Sequence, residues 1–168
     1  MFRMSRVEQP FLDYFFDMGI DISFDQCLQM DSCFASSFWT QIMWLDTHSC
    51  ENLEAIFSGC TKLNTIGIWL MVDGGQNLHN SFTKCSALTD VYIHGGKISY
   101  DGVNFSYSQG LTAQSIKNII GALSTTMKNA TITLSKTAVN NAFINVGKEQ
   151  EWLNLINSKP NWNIVLKN

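Results

Sequence analysis

The residues of this chain that could carry catalysis or bind a metal are three histidines, five cysteines and many serines. Their spacing points away from both roles. His48, His79 and His94 stand far apart and form neither H-x-x-x-H nor H-x-E, so no pair is set up to share a metal. Cysteines 27, 33, 50, 60 and 85 contain no C-x-x-C and no neighbouring histidine pair, which argues against zinc or redox chemistry. No serine lies in a G-x-S-x-G elbow, and no acid pair has a context that would raise its pKa. Asp73-Gly74-Gly75 and Gly95-Gly96 permit turns but are not followed by the Gly-Lys-Ser/Thr of a phosphate loop. The expectation is a protein that is not an enzyme and uses no cofactor and no metal. An odd cysteine count, in a chain long enough to bury a core, also disfavours a disulfide framework, and Cys60 and Cys85 read as small core residues.

Recognition is the chemistry that remains, and it depends on the elements that would present side chains together. Asn52–Ile68 reads N-L-E-A-I-F-S-G-C-T-K-L-N-T-I-G-I, and Asn77–Ile93 repeats its skeleton as N-L-H-N-S-F-T-K-C-S-A-L-T-D-V-Y-I. Leu53, Phe57, Cys60, Leu63, Ile66 and Ile68 become Leu78, Phe82, Cys85, Leu88, Val91 and Ile93, each 25 residues later. Fixed-period similarity of this length is the signature of stacked repeats. Leu53, Phe57 and Cys60 lie at i, i+4 and i+7, which predicts a short helix. Ile66 and Ile68 alternate with Thr65, Gly67 and Trp69, which predicts a strand. Stacking such units would join their strands into a parallel sheet at about 4.8 Å per step.

By parity, the outward residues of those strands are Gln41 and Met43, then Gly67 and Trp69, then Tyr92 and His94, then Thr131 and Thr133. In register, Met43, Trp69, Tyr92, His94 and Thr133 are the candidate partner-binding residues, an amphipathic strip whose aromatic rings suit an interface. The competing arrangement turns Trp69 inward or covers it with the segment 97–107.

The 25-residue ladder extends backward imperfectly. Leu28, Ala35 and Phe38 precede Leu53, Cys60 and Leu63, Ser32 replaces the phenylalanine, and Ile42/Trp44 fall 24 before Ile66/Ile68. Before it, Pro10 to Gly19 predicts a Phe-rich amphipathic helix, Ile20–Phe24 a strand, and Asp25 a helix cap. Lys97–Tyr107 is either a β-hairpin or an extra coil in which Val103/Phe105 is the next strand. Thr112 caps a helix over 113–123, Thr131–Leu134 is a strand, Thr137–Phe143 and Glu149–Asn157 are helices, and Trp162–Leu166 closes as a strand. The chain therefore divides as 1–24 cap, 25–107 repeats and 108–168 atypical C-terminal repeats or cap, within one domain.

The F-x-x-C-x-x-L-x-x-[IV]-x-I skeleton of Asn52–Ile93 resembles the BspA-like leucine-rich repeats of bacterial proteins. The second half, with L-T-A-Q-S-I-K-N-I-I, A-V-N-N-A-F and K-P-N-W-N-I, is similar to the C-terminal segment of such proteins from gut Firmicutes and their prophages. The unit here is slightly longer than the family's, lacks its proline after the strand, and lacks the asparagine ladder of plant-type repeats. The resemblance implies an α/β, right-handed solenoid with a parallel sheet on one face and short helices on the other, in an adhesion, cell-surface or phage-particle setting.

Net charge −3 and pI near 5.5 offer no basic face for nucleic acid. The longest apolar run, Ile66–Val72, is too short to span a bilayer, and Asp13 and Asp17 interrupt any signal-peptide core, so no membrane insertion and no export signal are expected. The expected function is recognition of a protein or glycan. The alternative is a structural or assembly module.

Overall fold

The computed structural model describes residues 27–71 and 75–168, so the expected cap over 1–24 and the Asp25 helix cap lie outside the described residues. The architecture is mixed α/β, with two three-stranded parallel sheets, a few short helices and no closed barrel. The first sheet runs β1 (Gln41–Asp46), β2 (Thr65–Leu70), β3 (Asp90–Gly95); the second runs β4 (Val103–Phe105), β5 (Ala130–Ser135), β6 (Trp162–Lys167). Between them come α1 (Ala113–Ala122), α2 (Lys136–Val139), which widens into a π-helical turn over Asn140–Ile144, and α3 (Glu149–Asn157).

The 25-residue period becomes lateral register. Ile66 pairs with Ile42 on one side and Val91 on the other, and Ile68 lies between Leu45 and Ile93. Opposite the sheet, four fully buried phenyl rings form one column. Phe34 stacks on Phe57 at 5.7 Å, Phe57 on Phe82 at 5.7 Å, and Phe82 on Phe105 at 4.5 Å, with interplanar angles of 26° or less.

The segments that carry these rings are not helices, contrary to the i, i+4, i+7 reading. Residues 54–59 and 79–84 are successive turns. Ala55, Gly59, Asn80 and Lys84 take φ of 52°, 78°, 56° and 63°, a left-handed residue at every fourth position. Alternate amides then point along the stack: Leu53, Ala55, Phe57 and Gly59 donate to the carbonyls of Asn77, His79, Ser81 and Thr83 at 2.8–3.0 Å. The amides in between bond backward within the turn, as from Ile56 to Leu53. In a helix the amides point along the axis and, beyond the first turn, are consumed internally, so they cannot run sideways as a ladder to the neighbouring coil. The apolar spacing fits either structure, because both bury every third or fourth side chain.

The first coil also needs realignment. Met30 donates to Asn52 as Leu53 does to Asn77, and Phe34, not Ser32, holds the phenylalanine position. Trp39 is buried where Leu63 is in the next coil, while Phe38 is exposed under the Lys62 ammonium. The coil offset here is 23 residues, as in the Gln29–Asn52 bridge, against 25 for Asn52–Asn77.

Pairing in the first sheet ends at β3, where α1 takes the place of a fourth strand. Ser115 Oγ accepts the Val91 amide at 3.0 Å and Asn118 Nδ2 donates to the Val91 carbonyl at 3.0 Å, so two side chains do what a strand backbone would. Thr112 caps α1, and Ile116, Ile119 and Ile120 are fully buried on its inner face, as their spacing predicts. Lys159 secures the far end of α1 through its Nζ, which donates to the Leu123 and Gly121 carbonyls.

Val103–Phe105 is a strand, but it belongs to the second sheet. Val103 pairs with Ile132, and Phe105 extends the phenyl column. The hairpin does not form, because Ile98 bridges Leu123 in parallel instead. Replacing Phe57 by Ala should therefore cost about 3–5 kcal/mol in urea unfolding, since it opens a void between two stacked rings. Leu at the same position should cost clearly less.

Candidate functional site

The outer face of the first sheet is shaped by one irregularity. Ile42 faces Ile66 and Leu45 faces Ile68, so Met43 and Trp44 together oppose the single residue Gly67. This is a β-bulge, and it turns both bulged side chains outward. The sequence parity placed Trp44 inside as the counterpart of Ile68. In the structure Leu45 is buried there and Trp44 is the most exposed of the face's large side chains, at 59%.

Glycine makes the arrangement possible. A Cβ on Gly67 would stand 2.0 Å from the Met43 carbonyl oxygen and 3.8 Å from the Trp44 indole. With no side chain there, the Trp44 ring reaches across β2 to His94 on β3, at 4.8 Å between centroids. Gly95 serves Trp69 in the same way: a Cβ on it would meet Trp69 Nε1 at 2.3 Å. Trp69, on the adjacent strand β2, lies 6.3 Å from His94. The imidazole thus contacts both indoles, and its Nε2 is buried with no hydrogen-bond partner among the described residues.

Four of the five expected residues share this face. Met43, Trp69 and Tyr92 are 49%, 48% and 41% exposed, and His94 sits among them, partly buried. Thr133 does not join them. It lies on β5 of the second sheet, paired with Asn104 and Val165, because the strands of the last coils form a separate sheet and do not extend the first. Trp44 is the residue that sequence parity missed. The clue available was the three-residue step from Ile42 to Leu45 opposite a glycine.

Charge on the face is acidic. Asp46 and Asp90 are its carboxylates, and β1–β3 carry neither lysine nor arginine. Asp46 Oδ1 accepts from His48 Nδ1 at 2.6 Å and from the His48 amide at 3.1 Å. Partial burial pushes the Asp46 carboxyl up, but the His48 hydrogen bonds and charge outweigh it and hold the group below its usual value. This pair closes a tight turn after β1. Among the described residues no three His, Cys, Asp or Glu side chains cluster to hold a metal.

His79 lies in a turn with its ring against Gly102. On the second sheet, Asn129, Thr131, Asn161, Trp162 and Asn163 line an open polar depression of about 390 Å³. No described helix is long and apolar enough to cross a membrane.

In comparisons with family models, curated proteins and solved structures, the chain matches none.

Two outcomes follow from this geometry. Gly67→Ala should destabilise the protein by about 1–3 kcal/mol and shift its tryptophan fluorescence, whereas Trp69→Ala should change the melting temperature little. On acidification, the stability contributed by Asp46 is present above its unfolded value of 3.8 and is lost as pH falls through its lower folded value. Asp46→Asn should flatten that part of an acid titration followed by circular dichroism.

Proposed function

We propose that this chain is a non-catalytic recognition module that takes a protein or glycan partner on the outer face of its first sheet. In this reading it is a right-handed solenoid of leucine-rich-repeat type, akin in pattern to the BspA-like repeats. The observation that carries the reading is the pair of exposed indoles, Trp44 and Trp69, seated over Gly67 and Gly95 and both in contact with His94. Rings fixed in this way offer flat apolar surface with little side-chain entropy left to lose on binding.

Such surfaces stack on sugar rings and anchor protein interfaces. The two carboxylates, with no lysine or arginine on the strands, favour a neutral or cationic ligand over an anionic one. The lateral register and the phenyl column support the repeat reading. The turn-built outer segments and the second sheet depart from the helical backs that the family resemblance implies.

A second reading, an assembly module, is favoured by charge and by one edge. Residues 27–96 carry six acids and two bases, a net of −4, while residues 97–168 carry three acids and seven bases, a net of +4. Among the described residues β6 is hydrogen-bonded on one side only, to β5. Opposite halves and an open edge suit contact between copies.

The test is a panel of neutral and acidic oligosaccharides together with a random-peptide display library. Ligands of the face should lose at least tenfold in affinity for the Trp44→Ala/Trp69→Ala variant, about 1.4 kcal/mol or more, with the melting temperature nearly unchanged. Ligands bound equally well by that variant overturn the proposed face. Oligomers that dissociate with added salt in sedimentation velocity would favour assembly.

A further inference from the structure

We infer that Cys27 and Cys50 are a thiol modification site, joined as a disulfide by a low-molecular-weight disulfide oxidant such as oxidised glutathione. The two residues are lateral neighbours. Gln29 bridges Asn52 in parallel, and two positions back the same offset of 23 aligns Cys27 with Cys50. Between them the Glu51 amide donates to the Leu28 carbonyl at 2.9 Å, so the two segments are in direct hydrogen-bonded contact. Neighbouring parallel segments set their Cα atoms about 4.8 Å apart, inside the range of about 4.4–6.8 Å that a disulfide spans. Cys50 Sγ already reaches the Cys27 carbonyl oxygen at 2.7 Å.

Burial separates this pair from the other in-register one. Cys60 and Cys85 are also lateral neighbours, 25 residues apart, but both are fully buried. Their thiols donate to the carbonyls of Phe34 and Phe57. Cys27 is partly exposed, so an oxidant can reach it, while Cys50 is buried beside it. Burial first, and then the neighbouring Cys27 thiol, push the Cys50 thiol up to about 12. Cys27 is therefore the entry point and Cys50 the resolving group.

The chemistry balances in two exchanges. The Cys27 thiolate attacks oxidised glutathione, forms a mixed disulfide and releases one glutathione thiolate. The Cys50 thiolate then attacks the Cys27 sulfur, forms the Cys27–Cys50 bond and releases the second. The two protein thiols are oxidised, glutathione disulfide is reduced to two glutathiones, and the two thiol protons pass through solvent to the released thiolates. Capping Cys27 in the first step removes the second-largest cause that opposes ionisation of Cys50; burial, the largest, remains, so the second exchange is the slower one. Cys50 is held from the next coil as well, since the buried Gln76 Nε2 donates to its carbonyl at 2.7 Å and to that of Thr47. The bond therefore ties three successive rows, and it closes a loop over the first described coil.

The experiment incubates the full chain with glutathione redox mixtures at mildly alkaline pH, followed by non-reducing peptide mapping and thermal melting. The expected result is a Cys27–Cys50 linked peptide, intact Cys60 and Cys85, and a melting temperature raised by roughly 5–10 °C over the reduced protein. Cys27→Ser, a change at a partly exposed position, should abolish both the link and the rise while leaving the reduced melting temperature unchanged. Persistent glutathionylation of Cys27 without the cross-link would overturn the inference, as would a link through Cys33 or between Cys60 and Cys85.

Discussion

Amides that leave their own coil to bond the next one hold this molecule together. In the turn segments every second N–H runs along the stack, from Met30, Ser32, Phe34 and Ser36 to Asn52, Glu54, Ile56 and Ser58, and from Leu53 onward to Asn77 and beyond. That arrangement requires a left-handed residue at regular intervals, a conformation that costs a non-glycine residue roughly 1–2 kcal/mol. The cost is offset because the same geometry stacks Phe34, Phe57, Phe82 and Phe105 in one buried column, each ring removing a large apolar area from water. The sheet on the other side follows as a consequence, because coils locked in register along the turns must bring their strands alongside one another.

A ladder of this kind has to end somewhere, and the ends account for the irregular parts. At β3 the next coil supplies a helix, and the backbone partners that a strand would have offered to Val91 come from Ser115 and Asn118. The edge is thereby closed with side chains, which keeps it from templating another strand. Phe105 nonetheless continues the phenyl column from within β4, so the core passes from one sheet to the other without a break. Lys159, buried with no acidic partner among the described residues, is held by the carbonyls at the end of α1, and burial pushes its ammonium below the usual lysine range.

How much of this could be read beforehand depends on which physical signal each feature left in the chain. The in-register strands were legible because Ile66/Ile68 and Val91/Ile93 repeat at constant offset, and α1 and α3 because their spacing and caps agree. The turn segments were not, since spacings of three and four are common to helices and to this corkscrew. The distinguishing marks were the residues at the left-handed positions, where Gly59 and Asn80 fit easily but Ala55 and Lys84 do not announce themselves. The strip was only partly legible. Parity gave the outward facing of Met43, Trp69, Tyr92 and His94 but failed after Met43 in β1, where one extra residue inverts everything beyond it. Thr133 was misassigned for a different reason: nothing in T-I-T-L-S says which sheet it will join.

The row of small residues at the corner after each phenylalanine shows how position within a stack, more than residue type, decides chemistry. Ser37, Cys60, Cys85 and Ser108 succeed one another there. Cys60 donates to the Phe34 carbonyl, Cys85 to that of Phe57, and Ser108 to that of Cys85. What the row demands is a compact donor for a carbonyl that turns inward, so cysteine stands here for serine and not merely for alanine. Burial pushes the Cys85 thiol up to about 12, which leaves it a hydrogen-bond donor and little else. The aromatic face obeys the same logic in reverse. Trp44 and Trp69 are large and apolar, yet each lies over a glycine at the surface because the interior rows are already filled by isoleucine and leucine. In the proposed reading, side chains that the core cannot accept, fixed by the floor beneath them, are what the stack offers a partner.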